Sequence, residues 1–495
     1  MTSTTGHSSN GAPSFTASFR DPAGSLFAQD GRIFRAVNGI GLADLNAFLA
    51  SRTASQWTAA GRLVRSEMLS AAAAAQLLEN PPVRALCEAI GAAAILEHER
   101  IPFPSFPYEW PPEMLHAAGM LTLDLARDLL PDGLGLKDGT PYNVLFHGPQ
   151  PVFIDALSVE RRDPRDATWL AYAQFVRTFV LPLLANQAFG IPCGQLLMGR
   201  RDGLDPEEIY RWTPVWKRLL PPFLSLVSLP VWLAGRHQQL DSSIYQKKLS
   251  DSPEKARFIF NSLLNGLRRA MRRLSPPPGK PSAWSNYMTG NHNYTREHFQ
   301  AKERFVQGVL NEFSPRRVLD AGCNTGYFSR LAARSGAAVV ALDYDPVVVG
   351  EVWRNALAGK LDILPLVVDL TRPTPGTGWY NAECSSFLDR AQGRFDAVFM
   401  LALIHHMLVT ERIPLPEILR LAAGLTSDLL LIEFIGPEDS MFRRLTRGRE
   451  ELHRNLTSDL FERESARYFE MVRGQRLEGT HRWLYLLRKR EAGAA

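Results

Sequence analysis

The sequence predicts an α/β fold for the C-terminal half of the chain and an α+β domain before it. In the C-terminal half, short apolar runs are separated by enough residues for a helix or crossover loop: RRVLDA, AVVALD, ILPLVVD, FDAVFML and DLLLIEF. Such alternation is typical of a parallel sheet with helices on both faces. The chain has 495 residues, too many for one typical core, so we expect two or three domains.

The first half begins with a small sheet and continues in helices. Two short apolar runs flank Asp30-Gly31 within Gly24 to Val37, a strong hairpin signal. From Leu45 to about Ala93, alanine and leucine recur at helical spacing, and we expect Pro81-Pro82 to interrupt the helix. After Asp163 the pattern is mostly helical again. These features predict an α+β domain that ends in helices.

The clearest domain boundary is RRAMRRLSPPPGKP, Arg268 to Pro281, where a basic helical pattern meets a proline cluster. Beyond it, YFEMV and HRWLYLLRK predict two final strands, the last antiparallel. We therefore expect a disordered tail, an N-terminal domain with a helical extension, an Arg/Pro-rich linker and a C-terminal domain. Their bounds are residues 1–15, 16–267, 268–283 and 284–490.

Composition indicates an ordinary globular protein of the cytoplasm. The net charge of +5 is the difference between 56 basic and 51 acidic residues, and so small an excess argues against a nucleic-acid partner. The Arg268 to Arg273 cluster is the one feature that favours such a partner. The four cysteines are widely separated and form no CxxC pair, so neither a metal site nor a disulfide framework is predicted. The N-terminal residues are rich in Ser, Thr and Gly without an apolar core, which argues against a secretory signal.

The segment Leu219 to Ala234, LLPPFLSLVSLPVWLA, is apolar and flanked by Lys217, Arg218 and Arg236. It is shorter than the roughly 20 residues of a spanning helix and contains three prolines. We therefore predict no transmembrane segment, and a buried helical hairpin or a cover over a pocket here. Peripheral membrane contact at 219–234 is the alternative.

The strongest site signal is VLDAGCNTGYFSRLAA, Val318 to Ala333. A strand ends in Asp320, a glycine-containing turn follows, and a helix begins near Gly326, so backbone N–H groups face whatever binds there. Asp343 ends the second strand, where an acid can accept hydrogen bonds from ribose hydroxyls. Asp369 closes the third strand in the same way.

This triple resembles the class I S-adenosylmethionine-dependent methyltransferases over about residues 284 to 490. The resemblance implies a Rossmann-like seven-stranded sheet and S-adenosyl-L-methionine as cofactor. It implies cofactor roles for seven residues: Asp320, Gly322, Asn324 and Gly326 at the methionine part, Asp343 at the ribose, Asp369 at the adenine amino group, and Tyr344 near adenine or ribose. Asn324 stands where a glycine is usual, though asparagine tolerates the left-handed conformation. A dinucleotide-binding domain is disfavoured because G-x-x-x-G is not G-x-G-x-x-G.

Candidate catalytic residues follow the fourth and fifth strands, where ligands of open α/β sheets bind. They are His405 and His406 in LALIHHM and Glu433 in LIEF. A histidine can take a proton from a hydroxyl or amine acceptor. A structural histidine pair is the alternative, because methyl transfer often needs positioning more than a base.

Two aromatic segments are candidate covers over the cofactor. One is Pro373 to Arg390, with Trp379 and Tyr380, and the other is Trp284 to Thr295. Long connections in compact domains are often functional. Both segments are equally compatible with ordinary surface structure.

The stretch KDGTPYNVLF and the PVFID that follows it resemble the catalytic loop and metal aspartate of the kinase-like fold. The resemblance implies that Asp138, Asn143 and Asp155 form a kinase-like loop, with Mg/ATP as an open but disfavoured ligand. It is disfavoured because no V-A-I-K lysine is present and Ala156 and Leu157 replace the usual residues after the metal aspartate. Ordinary turn chemistry explains the same residues.

Together with PFPSFPYEWPPEML, these stretches resemble bacterial two-part methyltransferases, some described as nodulation-associated. We therefore expect a methyltransferase (EC 2.1.1.-) acting on an O or N nucleophile of a small molecule or saccharide-like metabolite, with the first domain recognising this acceptor. The alternatives are an RNA or protein methyltransferase, a bifunctional kinase and methyltransferase, and a non-catalytic binding module. The acceptor and oligomeric state stay open.

Overall fold

The structure, a computed structural model, describes residues 20–234, 249–279 and 295–491. The predicted tail at 1–15, the end of the predicted linker at 280–283 and the predicted cover at 284–294 lie outside these residues.

The N-terminal half contains a four-stranded antiparallel sheet in the order β1-β2-β4-β3, two short hairpin-like ladders and a series of helices. The strands are β1 (Gly24–Gln29), β2 (Arg32–Asn38), β3 (Ser66–Met68), β4 (Ala92–His98), β5 (Leu134–Leu136), β6 (Val144–His147), β7 (Gln150–Phe153) and β8 (Val159–Arg161). The helices are α1 (Gly39–Leu49), α2 (Arg52–Ala59), α3 (Ala71–Leu77), α4 (Pro81–Ile90), α5 (Pro112–Asp128), α6 (Tyr172–Phe175), α7 (Leu181–Phe189), α8 (Cys193–Gly199), α9 (Pro206–Trp212), α10 (Leu229–Ala234) and α11 (Pro253–Arg273).

Local chemistry explains where two of these elements begin and end. Asp30 and Gly31 both have positive φ, 51° and 76°, as a two-residue hairpin turn requires, so the predicted hairpin is confirmed. Pro81 and Pro82 occupy the first two positions of α4. They therefore start a helix instead of interrupting one, because a proline at the first turn loses no intrahelical hydrogen bond.

The C-terminal half contains one seven-stranded mixed sheet. Its strands are β9 (Arg317–Ala321), β10 (Ala338–Asp343), β11 (Ile363–Val367), β12 (Phe395–Met400), β13 (Thr426–Ile435), β14 (Phe469–Arg476) and β15 (Arg482–Lys489). Its helices are α12 (Arg296–Phe313), α13 (Tyr327–Arg334), α14 (Pro346–Gly359), α15 (Phe387–Ala391), α16 (Ile404–Val409), α17 (Leu415–Leu425), α18 (Ser440–Thr446) and α19 (Ser458–Ser465).

The sheet order is β11-β10-β9-β12-β13-β15-β14. Strands β9 to β13 pair in parallel, whereas β15 is antiparallel to both β13 and β14, as the sequence predicted. The strand order reverses between β9 and β12. This switch point creates a crevice at the carboxyl ends of the strands, where ligands of such sheets bind.

The two faces of the sheet are covered by different parts of the chain. One face presents Val318 and Val339 to a core that includes Val306 and Val309 of α12. The opposite face belongs to a core that is continuous with the interior of the N-terminal half. Here α15 has only five residues, and the ring centroid of Phe103 lies 6.0 Å from that of Phe387 in α15 and 5.9 Å from that of Phe395 in β12. The two halves therefore share one hydrophobic core.

A buried ion pair also joins the halves. Arg390 of α15 donates to the carboxylate of Glu109 and, over 2.6 Å, to the carbonyl oxygen of Pro104. The Arg390 and Glu109 side chains are only 4% and 0% exposed. On α14, Arg354 pairs with Glu113 and the indole N–H of Trp353 donates to the Pro149 carbonyl oxygen over 2.9 Å. These contacts fix the N-terminal half against the sheet.

Candidate active site

The turn after β9 has a backbone that few residue types can adopt. Gly322, Asn324 and Gly326 have positive φ values of 74°, 49° and 72°. The N–H groups of Gly322 and Cys323 donate to the Leu342 carbonyl oxygen of β10, over 2.9 and 2.8 Å. These hydrogen bonds fix the turn against the carboxyl end of β10. The glycines of the turn have no side chain, so a ligand can approach its backbone closely.

Two of the predicted acids are buried beside this turn. The Ser329 hydroxyl donates to Asp320 over 2.5 Å, and burial raises the pKa of Asp320 to about 6. Asp343 accepts hydrogen bonds of 3.0 Å from the backbone N–H groups of Asn324 and Asp345. Burial likewise raises its pKa to about 6. Both carboxylates lack full solvation, so a ligand carrying N–H and O–H donors would stabilise their ionised form.

The third acid, Asp369, follows β11 and accepts from the Thr371 N–H and hydroxyl, over 2.8 and 2.6 Å. All three acids line one cavity of about 480 Å³, together with Gly322, Asn324 and Tyr344. Gly326 is the predicted cofactor residue that is not among the lining residues. It lies against Val352 instead, since a Cβ at this position would stand 2.9 Å from a Val352 methyl group.

Most of the remaining cavity wall consists of residues that we did not predict. An aromatic group is formed by Phe299 of α12 with Tyr327 and Phe328 of α13, whose ring centroids lie 4.8 and 6.1 Å from that of Phe299. Further lining residues are Lys302, Thr325, Leu403, Met407, Thr410, Glu411 and Leu445. Tyr327 and Phe328 directly follow the glycine turn, so their position in the motif was an available signal.

His406 lines the cavity, and His405 and Glu433 are not among its lining residues. The two histidine rings lie 4.2 Å apart between centroids. Burial lowers the pKa of His406, and that of His405 well below its usual range. His406 is therefore neutral near pH 7 and can accept a proton at the cavity wall.

Glu433 is enclosed by cations behind the cavity wall. Its carboxylate lies 2.6 Å from Nζ of Lys302 and 3.6 Å from the Arg482 guanidinium. Arg482 also binds Asp439, over 2.8 and 3.1 Å. Lys302 faces the cavity while Glu433 is fully buried. This geometry suits Glu433 to positioning Lys302 and does not bring it to an acceptor.

The predicted cover at Pro373 to Arg390 packs against the N-terminal half. Glu383 binds Arg201 and, over 2.5 Å, Arg20, while Trp379 and Tyr380 point to solvent. No residue of this segment is among those that line the cavity. The segment does not line this cavity, and the Glu383 ion pairs hold it against the N-terminal half, so the alternative of ordinary surface structure fits it better.

Every described lining residue of the cavity comes from the C-terminal half. Recognition of the acceptor by the first domain stays a prediction, whereas the predicted buried hairpin needs correction. The segment Leu219 to Ala234 does not line the cavity either, and several of its large side chains are exposed instead of forming a buried hairpin. Among the described helices none is long and apolar enough to cross a membrane.

The kinase-like residues do come together in the N-terminal half. The Ser158 hydroxyl lies 2.5 Å from Asp155, 3.3 Å from Asp138 and 2.8 Å from the amide nitrogen of Asn143. Arg35 of β2 donates to Asp155 over 2.8 Å, so an internal cation already neutralises this carboxylate. No cluster of three or more metal-ligating side chains occurs among the described residues. The arrangement does not fit a Mg/ATP site, and no phosphotransfer step follows from it.

The Arg268 to Arg273 cluster lies at the end of α11. Arg268 pairs with Asp124, which also binds Arg62 over 2.7 Å. Arg268, Arg269 and Arg272 line a shallow groove on the helix, away from the cofactor cavity. The helix therefore continues into the residues that we assigned to the linker.

Comparison with known proteins defines the class of the site. Residues 291–489 match the family model described as a methyltransferase domain. The C-terminal half is thus a methyltransferase domain, and the chain is an S-adenosylmethionine-dependent methyltransferase, as the sequence predicted. This kind of domain implies that the chain binds S-adenosylmethionine or S-adenosyl-L-homocysteine.

The chain is also similar to individual proteins. The nodulation protein NoeA of Rhizobium meliloti (strain 1021) is 29% identical over 477 residues, which cover 96% of each chain. The predicted resemblance to a nodulation-associated protein is therefore confirmed over both halves. Among solved structures, the N-methyltransferase NodS of Bradyrhizobium japonicum WM9 with S-adenosyl-L-homocysteine is 11% identical and covers 42% of this chain and 97% of its own, with a TM-score of 0.31. The bifunctional kinase-methyltransferase WbdD is 17% identical and covers 40% of each chain, with a TM-score of 0.27.

Proposed function

We propose that the enzyme methylates an oxygen or nitrogen nucleophile of a small molecule or saccharide-like metabolite. The observation that carries the proposal is the single cavity that holds the three predicted cofactor acids and also His406 and an aromatic wall. In this proposal the cofactor and the acceptor would face the same cavity. Such proximity is the main requirement of a transfer between two bound molecules.

The residues present fit the cofactor. Asp343 would hold the ribose, Asp369 the adenine, and Asp320 with the turn from Gly322 to Gly326 the methionine part. The bound cofactor supplies a methyl group on a positively charged sulfur. Asp320 and Asp343 are buried carboxylates with raised pKa values, so cationic and hydroxyl groups of the cofactor would offset their desolvation.

His406 is the group best placed to accept a proton from the acceptor. It lines the cavity, and its lowered pKa keeps it neutral at pH 7. As an acceptor hydroxyl or amine bonds to the methyl carbon, His406 would take its proton. The flat rings of Phe299, Tyr327 and Phe328 offer an apolar wall for a ring-shaped acceptor.

Labelled S-adenosylmethionine tests the acceptor class. The full-length enzyme would be incubated with it and with a fractionated cell extract, using Asp343→Ala as the binding-deficient control. We expect label in the small-molecule fraction with the wild type and none with the variant. Label that appears only in RNA or protein would contradict the proposed acceptor.

A matched histidine pair tests the proton acceptor. We expect His406→Gln to lower kcat by roughly 10²-fold or more, the usual effect of losing a general base, with cofactor affinity unchanged. His405→Gln, behind the cavity wall, should leave the pH profile of kcat unaltered. Equal kcat values for His406→Gln and the wild type would show that positioning alone suffices.

A further inference from the structure

A compact helical unit of the N-terminal half exposes an unusual number of large apolar side chains. The unit comprises α9, a 3-10 turn at Val215–Leu219, a π-helical turn at Leu224–Ser228 and α10. Six of its large apolar side chains are 39% to 73% exposed, and we call this set its exposed apolar face: Val215, Trp216, Leu219, Leu220, Trp232 and Leu233. Contiguous exposed apolar patches on a soluble protein usually mark a surface that binds a partner.

The face is rigidly supported from within. Phe223, Leu226 and Val227 are buried beneath it. Tyr210 of α9 joins its two parts, because the Trp232 indole N–H donates to the Tyr210 hydroxyl over 3.2 Å and the Arg218 guanidinium lies 4.0 Å from the Tyr210 ring centroid. The Ser228 hydroxyl donates to the Arg218 carbonyl oxygen over 2.8 Å. The exposed side chains are therefore presented by a folded scaffold and not by a loose strand.

Charge and residue type identify the partner. From Ile209 to Ala234 the sequence carries Arg211, Lys217 and Arg218 and no aspartate or glutamate; the acids of the unit, Glu207 and Glu208, lie in the first turn of α9. Nζ of Lys217 lies 5.3 Å from the Trp216 ring centroid, so an aromatic ring and a cation sit side by side on the surface. Tryptophan beside lysine or arginine is the combination favoured where a protein meets the headgroups of a bilayer.

We propose that this exposed apolar face docks the enzyme onto the surface of a membrane that contains anionic lipid. The apolar side chains would enter the headgroup region, and Lys217 and Arg218 would lie against lipid phosphates. Binding of this kind is peripheral and needs no spanning helix. The inference does not rest on the proposed acceptor, since the face contributes no residue to the cofactor cavity.

Vesicle sedimentation with the full-length protein tests the proposal. The probes are vesicles of phosphatidylcholine alone and of phosphatidylcholine with phosphatidylglycerol in equal parts. The test variant is Val215→Ser/Trp216→Ser/Leu219→Ser, whose three sites are 62% to 73% exposed. The matched control is Ile40→Ser/Phe258→Ser/Leu452→Ser, at sites 72% to 77% exposed elsewhere on the surface.

We expect the wild type and the control to bind the anionic vesicles and the test variant to bind at least tenfold more weakly. Lys217→Gln should weaken binding about fivefold at low salt, the value expected for one basic residue at an anionic surface. Cofactor binding by calorimetry should be unchanged in all variants, which excludes misfolding as the cause.

Three results would overturn the proposal. One is wild-type protein that binds neither vesicle. Another is equal vesicle binding by the wild type and the test variant. The third is a wild-type dimer, seen by light scattering and dispersed by the test variant, without vesicle binding, because the face would then be a protein interface.

Discussion

At the scale of single residues, two of the acids that we predict to bind the cofactor carry a stability cost that a bound ligand would offset. Burial raises the pKa values of Asp320 and Asp343 to about 6, which means that their ionised forms are less stable in the folded protein than in water. A carboxyl group whose pKa is higher in the folded than in the unfolded protein contributes its full stability below the unfolded pKa. This contribution to folding stability is lost as pH rises through the folded pKa of about 6. The ionised acids therefore lower the stability of the ligand-free protein, and a bound ligand would offset this loss.

The variant Asp320→Asn should separate the effect of this carboxylate on folding stability from its effect on cofactor binding. Because the amide is neutral, we expect the apo variant to be more stable than the wild type at pH 8 by about 1–3 kcal/mol, and this gain to vanish near pH 4. Cofactor binding should be lost. Urea unfolding across this pH range and calorimetry with S-adenosylmethionine measure the two quantities.

Asp396→Asn is the control for the Asp320 prediction. Partial burial raises the pKa of Asp396, but hydrogen bonds from Arg317 have the larger combined effect, so the pKa is lowered. The Asp396 carboxylate therefore stabilises the fold above its unfolded pKa, and this stabilisation is lost as pH falls. The pH dependence is opposite to that expected for Asp320. An Asp320→Asn variant that loses stability at pH 8 would contradict our account of the raised pKa.

The Lys302–Glu433 pair leads to a second residue-scale prediction. Lys302→Met should destabilise the protein by about 3–5 kcal/mol, because it removes the cation that lies 2.6 Å from the fully buried carboxylate of Glu433. Replacing both partners, as Lys302→Met/Glu433→Leu, should recover most of this loss. Urea unfolding measures the three free energies. A double variant no more stable than Lys302→Met would show that Glu433 matters for reasons other than this pair.

At the scale of elements, the glycine turn is the part that the sequence predicts best. Positive φ at Gly322, Asn324 and Gly326 is a property of the local chain, so residue type and spacing reveal it directly. The partners of Lys302 and Arg35 were not predictable in this way, since Glu433 lies 131 residues from Lys302 and Asp155 lies 120 residues from Arg35. Only the folded chain brings such residues together.

Gly326→Ala tests the turn as an element. Both Gly326 and Gly336 have positive φ, but a Cβ at Gly326 would stand 2.9 Å from Val352 whereas Gly336 has no heavy atom within 4 Å. Both alanine variants should lose about 1 kcal/mol through backbone strain. Gly326→Ala should lose a further 1–3 kcal/mol, roughly, by overpacking.

Adding Val352→Ala to Gly326→Ala should return part of this further loss, since it removes the methyl groups that the new Cβ meets. Denaturant unfolding of these three variants and of the wild type measures the difference. Equal destabilisation by Gly326→Ala and Gly336→Ala would show that the contact with Val352 is relaxed without cost.

At the scale of the whole molecule, the N-terminal half acts as part of the sheet's cover. The sequence predicted helices on both faces, yet the connection between β11 and β12 supplies only the five-residue α15. Its apolar residue Phe387 completes a core with Phe103 of the other half. Periodicity within one segment cannot reveal this, because the pattern shows that a face is buried but not which part of the chain covers it.

The Arg390–Glu109 pair provides the test at this scale. Both side chains are almost fully buried between the halves, so Arg390→Ala should leave Glu109 uncompensated and cost about 3–5 kcal/mol. Arg420→Ala removes the partner of Glu417 at an exposed site, where the arginine is 67% exposed, and should cost less than about 1 kcal/mol. Since the halves share one core, unfolding of Arg390→Ala should remain a single transition that shifts as a whole. Two separate transitions, with the cofactor still bound after the first, would show instead that the methyltransferase half folds independently of its cover.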